Sequence, residues 1–301
     1  MLDCCLLGTG GMMPLHNRFL TSLLLRLDGK LLLVDCGEGT QITLKLASFG
    51  VKAISTICFT HYHADHISGL AGLLLTLGNA GRTEPVCLIG PIGLQKIVES
   101  ILVIAPNLPF ELVFKETDGF AEFDEGGLHI STAPMQHAID CVGYRFDVRR
   151  KGKFSIEKAK ANSVPLELWS ALQKSNETCF EGKIYKSEMV LGEERAGISV
   201  CYATDTRPND ALTNLAQNAD LFICEGIYGE NEKLDKAIEY RHMLFSEAAQ
   251  TAKNANAKEL WLTHFSPSLP NPEDFLVNAT SIFSNTVVGY DRIIKSISFT
   301  K

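Results

Sequence analysis

The sequence lacks any hydrophobic run long enough to cross a bilayer, which takes about 20 apolar residues. Its longest apolar stretch, 67–77, is interrupted by Ser68, Gly69 and Gly72. The N-terminus lacks a basic start followed by an apolar run and a small-residue cleavage site, so we expect no signal peptide. We therefore expect a protein that neither spans a membrane nor is exported.

Paired cysteines are lacking as well. The nine cysteines are an odd number and include no Cys-x-x-Cys pair, and Cys58, Cys201 and Cys224 lie inside apolar runs. Cysteines in such runs usually behave as small buried hydrophobic residues. The pattern excludes a disulfide framework and predicts a reducing, cytoplasmic location.

An excess of positive charge is also lacking. The net charge is −7 and the pI about 5.6, which disfavours nucleic acid as a partner because phosphate binding needs positive surface. The charge is unevenly distributed, however. Between Arg149 and Lys160, six positive charges accompany a single negative one, Glu157. This basic run is either a solvated face or a local phosphate-binding surface, and the sequence leaves both open.

Strand and helix patterns alternate along most of the chain, and several predicted strands end at a histidine or a carboxylate. In α/β folds such strand ends hold functional side chains rigidly. Strands are predicted at 2–7, 22–27, 30–35, 53–59, 86–89, 128–133, 141–146, 197–202, 220–224 and 259–263, and helices at 40–49, 69–77, 93–104, 209–217 and 246–254, the last with Ser246 as N-cap.

Residues from about 149 to 192 show weaker apolar periodicity. They contain the basic run, a short helical pattern at 157–161 and Pro165. We interpret this segment as an arm inserted into a single domain that spans 1–301.

Three histidines and an aspartate crowd into one short segment, Thr60-His61-Tyr62-His63-Ala64-Asp65-His66. A regular strand or helix could not direct His61, His63, Asp65 and His66 to one point, whereas a tight loop after a strand could. Imidazoles and carboxylates suit zinc and other first-row ions. Four such groups exceed the needs of one catalytic metal, which keeps a position open for water. We therefore predict two metals sharing this loop rather than a solvated polar loop.

Further motifs follow in a fixed order: Leu6-Leu7-Gly8-Thr9-Gly10 with Pro14 and Arg18, Asp35-Cys36-Gly37-Glu38-Gly39-Thr40-Gln41, Thr60 to Leu70, Gly90-Pro91-Ile92-Gly93, Gly143-Tyr144-Arg145, the basic arm, Asp205-Thr206-Arg207 and Thr263-His264-Phe265-Ser266. This order resembles the metallo-β-lactamase superfamily and, within it, the ribonuclease Z family. The histidine motif specifies only the superfamily. The 35–41 signature and the arm indicate the subfamily.

The resemblance implies an αββα sandwich, in which two mixed sheets pack face to face with helices outside. It implies an endonuclease that removes 3′ trailers from precursor tRNA, with a hydroxide shared by two metals about 4 Å apart. Zinc is expected, although manganese or iron would accept the same ligands. A homodimer is expected, with the arm gripping the tRNA body through phosphate contacts.

The same resemblance assigns the family's site residues to the positions of this sequence that match its motifs. The resemblance implies one zinc held by His61, His63 and His137, a second held by Asp65, His66 and His264, and Asp205 bridging both. Asp35 is expected either to orient these ligands without touching metal or simply to cap nearby backbone.

The resemblance also points to three catalytic groups. The aspartate matching Asp65 usually takes a proton from the attacking water. His242 is our candidate to contact the phosphate or protonate the departing 3′ oxygen, with Glu225 orienting it. The alternative for His242 and Glu225 is a surface ion pair.

Three segments depart from the family pattern. Cys224-Glu225-Gly226 stands where His-Glu-Ala is common, His242-Met243-Leu244 lacks the usual small hydroxyl residues, and Val164-Pro165-Leu166 replaces an expected Gly-Pro. These departures leave the substrate open. Two alternatives are a related hydrolase of small phosphodiesters or aryl sulfates and a non-catalytic binding module of the same fold.

Overall fold

The computed structural model describes residues 1–299, which form two seven-stranded sheets, one small hairpin and surrounding helices. The first part of the chain alternates strands with helices. Its elements are β1 (Leu2–Gly8), β2 (Ser22–Leu27), β3 (Lys30–Val34), α1 (Thr40–Leu46), β4 (Ile54–Cys58), α2 (Ala64–Ile67), α3 (Leu70–Asn79), β5 (Val86–Pro91), α4 (Leu94–Leu102) and β6 (Leu112–Thr117), with a 3-10 turn at Val51–Ala53.

An antiparallel meander follows, formed by β7 (Glu122–Glu125), β8 (Leu128–Pro134) and β9 (Val142–Arg150). The next segment contains α5 (Ile156–Ala161), α6 (Trp169–Lys174), β10 (Glu177–Phe180) and β11 (Lys183–Lys186), with 3-10 turns at Leu166–Leu168 and Ser187–Met189.

The last part of the chain again alternates strands and helices. Its elements are β12 (Arg195–Ala203), α7 (Asp210–Leu215), β13 (Leu221–Glu225), α8 (Leu234–Tyr240), α9 (Phe245–Asn254), β14 (Leu260–Thr263), α10 (Val277–Thr280), β15 (Thr286–Val288) and β16 (Ile294–Ile297), with 3-10 turns at Asn231–Lys233 and Pro272–Phe275.

Both large sheets are mixed. The first has the order β16-β1-β2-β3-β4-β5-β6, and its strands are parallel from β3 to β6. The second has the order β15-β14-β13-β12-β9-β8-β7, and its strands are parallel from β12 to β15. Parallel strands place their carboxyl ends at one edge, so each sheet gathers the loops that follow these strands.

Each sheet has an outer hydrophobic layer that helices cover. Leu73 and Leu77 of α3 share a buried cluster with Leu33 and Ile57 of the first sheet. Ala248 and Ala252 of α9 do the same with Phe222 and Leu262 of the second sheet. The strands at the centre of the sheets are nearly continuous apolar runs because both of their faces are buried.

The inner faces of the two sheets meet directly. The hydroxyl of Tyr144 on β9 donates to the carbonyl of Phe59, which follows β4, at 2.7 Å. The hydroxyl of Tyr202 on β12 lies 3.4 Å from Asp35 Oδ2, at the end of β3. The αββα sandwich expected from the sequence is therefore confirmed.

Residues 148–197 form a compact unit of their own. This unit has a small core that includes Ala159, Leu168 and Leu172, and Ser155 caps α5 by accepting from the backbone N–H of Lys158. The helical pattern at 157–161 thus corresponds to α5. Whether this unit acts as an arm of one domain stays a prediction.

One capping prediction was wrong. Helix α9 begins at Phe245 with Leu244 at the N-cap, so Ser246 lies inside the helix. The Glu247 carboxylate accepts from the backbone N–H of Leu244 at 3.0 Å, the bond by which a glutamate at the third helical position satisfies the N–H of the N-cap residue. The Ser246 hydroxyl donates instead to Asn231 Oδ1 at 2.7 Å.

Within residues 1–299, none of the helices has both the length and the apolar character that a membrane span requires.

Candidate metal centre

The candidate site lies where the parallel strands of both sheets end. His61 and Asp35 follow β4 and β3 of the first sheet, whereas Asp205 and His264 follow β12 and β14 of the second. His137 lies on the loop between β8 and β9. Side chains from five separated segments of the chain therefore meet between the two sheets.

Three of these residues have left-handed backbone conformations. Asp35, Asp205 and His264 have φ of 59°, 53° and 60°, and each comes immediately after a strand or one residue beyond it. Residues other than glycine adopt this region rarely, and such strain concentrates at functional sites. The sharp turn at each strand end directs the side chain toward the space between the sheets.

The first group of candidate ligands consists of His61, His63, His137 and Asp205. Nδ1 of His63 lies 3.0 Å from Nε2 of His61 and 3.2 Å from Nε2 of His137. Oδ2 of Asp205 lies 3.7 Å from the His61 ring nitrogen and 3.8 Å from that of His137.

The second group consists of Asp65, His66 and His264. The Nε2 atoms of His66 and His264 are 3.2 Å apart, and Oδ2 of Asp65 lies 3.6 Å from each. Oδ1 of Asp205 lies 3.2 Å from both imidazoles. Asp205 therefore presents one carboxylate oxygen to each group.

These donor atoms fit a cation. Two nitrogens that each lie about 2.0–2.1 Å from a tetrahedral zinc are roughly 3.3 Å apart, close to the ring-to-ring separations here. Oδ1 of Asp205 is buried and has no hydrogen-bond partner among residues 1–299. Buried polar atoms left in this state are costly unless a ligand satisfies them. The chemistry and spacing of the donors thus suit divalent metal.

Asp35 contacts both the backbone and one of the candidate ligands. Its Oδ1 accepts from the backbone N–H of Thr60 at 2.8 Å, and its Oδ2 lies 2.9 Å from Nδ1 of His66. A carboxylate on the far nitrogen fixes the tautomer of an imidazole and aims its other nitrogen. Asp35 therefore directs Nε2 of His66 toward the second group.

Asp65 faces the open side of the site. Its Oδ2 accepts from the backbone N–H of Met12 at 2.7 Å. Burial alone would raise the pKa of Asp65, but the hydrogen bond to His264 and the charges of His66 and His264 outweigh it and hold the pKa well below its usual range. Asp65 is therefore ionised at neutral pH.

His242 and Glu225 form a buried pair beside the seven candidate ligands. Nδ1 of His242 lies 3.1 Å from Oε2 of Glu225, which also accepts from the backbone N–H of Met243. Burial alone would lower the pKa of His242, but Glu225 and then Asp205 raise it to about 9. Because Glu225 is fully buried, the alternative of a surface ion pair is wrong.

A cavity of about 720 Å³ opens onto this arrangement. Its walls include His63, Asp65, His137, Asp205, His242 and His264, together with the apolar side chains of Met12, Met13, Tyr228 and Tyr240. Six of the eight histidines of the chain thus line or adjoin one cavity.

An ion pair that holds the backbone of His242, between Arg207 and Glu247, was not predicted from the sequence. Arg207 donates to the carbonyl of His242 at 2.6 Å and to Glu247 Oε2 at 2.8 Å, and its second terminal nitrogen donates to the other Glu247 oxygen. Arg207 belongs to a quoted motif, but nothing in the sequence connects it with Glu247 or His242. Charged residues of this kind are usually solvent-exposed.

Comparison with known proteins decides the family. The ribonuclease Z of Clostridium acetobutylicum is 52% identical over 306 residues, covering 99% of both chains. That of Agathobacter rectalis is 52% identical over 292 residues, covering 97% of this chain and 96% of the relative. The chain belongs to the ribonuclease Z family. Membership confirms the resemblance seen in the motifs and the expectation of a hydrolytic endoribonuclease rather than a binding module.

Solved structures show the same fold as this ribonuclease Z family member. The short form of human tRNase Z superposes with a TM-score of 0.70 at 23% identity, covering 99% of this chain and 100% of that one. The metallo-β-lactamase fold protein YhfI from Bacillus subtilis gives a TM-score of 0.70 at 18% identity, covering 98% of each chain. A family model described as anti-Pycsar protein Apyc1 matches residues 2–102.

Proposed function

We propose that this protein is a metal-dependent phosphodiesterase that cuts precursor tRNA and removes its 3′ trailer. The observation that carries the proposal is the convergence of seven imidazole and carboxylate side chains beside the buried His242–Glu225 pair in an open cavity. The near-full-length identity to ribonuclease Z relatives supports RNA as the substrate.

The metal ligands of the proposal follow the two groups of donor atoms. His61, His63 and His137 would hold one Zn²⁺, and Asp65, His66 and His264 would hold another. Asp205 offers one oxygen to each group, which suits a bridging ligand. Bound divalent cations supply positive charge that polarises a phosphoryl oxygen and makes water more acidic. Manganese or iron would accept the same donors.

Asp65 serves as the proton acceptor on the attacking side. It is ionised, 13% of its side chain is exposed, and it lines the cavity. Its backbone partner, the N–H of Met12, fixes the carboxylate so that Oδ2 stays directed into the site. An ionised carboxylate at this position can accept a proton from the water that attacks the phosphorus, and because its low pKa makes it a weak base it would hold that proton only transiently.

His242 serves as the proton donor on the departing side. Its Nδ1 is bound to Glu225, which leaves Nε2 for the substrate. The pKa of about 9 keeps the imidazole protonated at neutral pH. Bond breakage leaves negative charge on the 3′ oxygen of the tRNA, and donation from His242 yields the 3′ hydroxyl.

The basic run of the 148–197 unit serves as the grip on the tRNA body. Arg149, Lys151, Lys153, Lys158 and Lys160 are all exposed. Such contacts would bind phosphates and fix register without reading bases. The proposal further includes a homodimer and a cytoplasmic location, where precursor tRNA is made.

The test is a paired assay with one preparation of metal-loaded protein. Its substrates are a precursor tRNA that carries a 3′ trailer and bis(p-nitrophenyl) phosphate, a small phosphodiester. We expect kcat/KM for the precursor tRNA to exceed that for the small ester by at least about a thousandfold, because remote binding energy accelerates only the large substrate. Equal or reversed values would favour a hydrolase of small esters.

A further inference from the structure

Arg241 is the one lysine or arginine that lines the catalytic cavity within the described residues 1–299. The same cavity presents three carboxylates, those of Asp65, Asp205 and Glu239. A polyanion entering this site therefore meets a single permanent positive charge from the chain itself. The negative charge of a substrate in this cavity is therefore attracted most strongly to the Arg241 side chain.

The backbone of Arg241 is unusual for an arginine. It terminates α8 in the left-handed region, with φ of 59° and ψ of 49°. Glycine is the usual residue at such a helix end, since a Cβ is strained there. A strained arginine at the mouth of a catalytic cavity points to a use for its side chain.

The Arg241 guanidinium forms a hydrogen bond within the protein and still has N–H donors available for a ligand. One terminal nitrogen of Arg241 donates to the carbonyl of His137. In return, Nδ1 of His137 faces the carbonyl of Arg241 at 3.4 Å. An arginine has five N–H donors, and within residues 1–299 no other acceptor binds this one. The side chain is exposed, so the remaining donors are accessible.

Arg241 stands at the junction of two cavities. Besides the catalytic cavity, it lines a second one of about 550 Å³ whose walls include Ile92, Gly119 and Ile139. His137 and Ala138 also border both. An extended polymer with one phosphodiester at the metal ligands could continue past Arg241 into the second cavity, whereas a small ester would fill only the first.

We propose that Arg241 binds a phosphate of the RNA next to the scissile one, and so selects substrates with at least two consecutive phosphodiesters. A guanidinium suits this role because its planar fork matches two phosphate oxygens. The bond to His137 holds the fork in place before substrate arrives, which reduces the entropy lost on binding. This inference rests on the proposed function and names a substrate contact for it.

The test compares Arg241→Gln with wild type on both substrates of the paired assay. For precursor tRNA, KM should rise about tenfold, and the slope of log(kcat/KM) against log[salt] should become shallower by about 0.7–0.9, the value of one phosphate contact. Hydrolysis of bis(p-nitrophenyl) phosphate and the metal content should change less than about twofold. Arg241→Lys should recover part of the binding. Lys96→Gln, on the exposed surface of α4, is the matched loss of charge and should leave the salt slope unchanged.

Two outcomes would overturn the inference. An unchanged salt slope would mean that Arg241 contacts no phosphate. Equal losses on both substrates, together with loss of metal, would mean that Arg241 only supports His137.

If wild type hydrolysed the ester but not the tRNA, the proposed function would be wrong, but the role of Arg241 would still be open to test. A trinucleotide inhibitor of ester hydrolysis would then decide the role of Arg241. A higher inhibition constant in Arg241→Gln would support the contact, and equal constants would refute it.

Discussion

Glu225 and His242 form a buried hydrogen-bonded pair in which Oε2 and Nδ1 lie 3.1 Å apart. The Glu225 carboxylate also accepts from the backbone N–H groups of Thr206 and Met243, so its position is fixed from several directions. Because the carboxylate cannot move away, the imidazole keeps one orientation relative to Asp205 and the metal ligands. In the proposed function this pair donates the proton, and it lies beside the seven proposed metal ligands.

Replacing His242 tests whether its side chain donates a proton or binds metal. We expect His242→Ala to lower kcat on precursor tRNA by about 10²–10⁴-fold, since a general acid contributes this much. Metal content, measured by elemental analysis, should stay near that of wild type. Loss of metal would instead assign His242 as a ligand, a role that its proximity to Asp205 and His264 would allow.

Replacing Glu225 tests the protonation of His242. Glu225 raises the pKa of His242 to about 9, and the donor form exists below the pKa, so it is lost as pH rises through that value. In Glu225→Gln the pKa falls, and the donor form disappears at lower pH. The alkaline limb of the kcat profile should therefore move down by about one pH unit or more. An alkaline limb that stays in place would show that His242 does not donate the proton.

The Arg207–Glu247 pair should matter through the backbone of His242. Arg207→Met removes the donor to the His242 carbonyl and leaves the Glu247 carboxylate without its partner. We expect the free energy of unfolding to fall by about 1–3 kcal/mol, and kcat to fall about tenfold with little change in KM. Lys96→Gln serves as a control for loss of charge. Wild-type kcat in a destabilised Arg207→Met would show that the pair is only structural.

The basic run of the 148–197 unit should act on large substrates alone. We expect the triple change Lys151→Gln, Lys153→Gln and Lys160→Gln to weaken binding of precursor tRNA. The salt slope should become shallower by up to about 0.9 for each phosphate that the variant no longer binds. Turnover of bis(p-nitrophenyl) phosphate should be spared. If both activities fell together, measured side by side, the run would have a structural role.

Asp205 should control both metal positions at once, because its two oxygens face different ligand groups. We expect Asp205→Asn to lower the content of both ions, whereas His137→Ala should lower that of one. Elemental analysis after gel filtration distinguishes the two cases. Loss of a single ion in Asp205→Asn would contradict the bridging position.

The parts of the site that follow a contiguous pattern could be predicted from the sequence. His61 and His63 lie in the loop after β4, and Asp65 and His66 lie in the short helix α2 that follows it, so the sequence alone places all four within six residues of one another. His137, Asp205 and His264 were placed with them only through the resemblance in motif order. Their convergence depends on sheet order and on left-handed turns at strand ends, which residue type does not reveal.

Other features depend on interactions between distant segments. The Arg207–Glu247 pair and the bond from Arg241 to His137 join residues that the sequence does not connect. Strands β6, β7, β10, β11, β15 and β16 were not predicted. Of these, β6, β7, β15 and β16 lie at the edges of the two large sheets, where alternation is weak. The N-cap of α9 was misplaced because Glu247 reaches back to Leu244, which a serine-based rule does not anticipate.

The central claim is that this protein removes the 3′ trailer of precursor tRNA with divalent metal bound by the seven candidate ligands. The most direct measurement treats the protein with a chelator, adds back Zn²⁺ stepwise, and maps the 3′ end of the tRNA product by sequencing. We expect no cleavage without metal, recovery that saturates near two equivalents, and a product that ends in a 3′ hydroxyl at the trailer junction. Cleavage that persists in the metal-free protein, or fully loaded protein that leaves the junction intact, would contradict it.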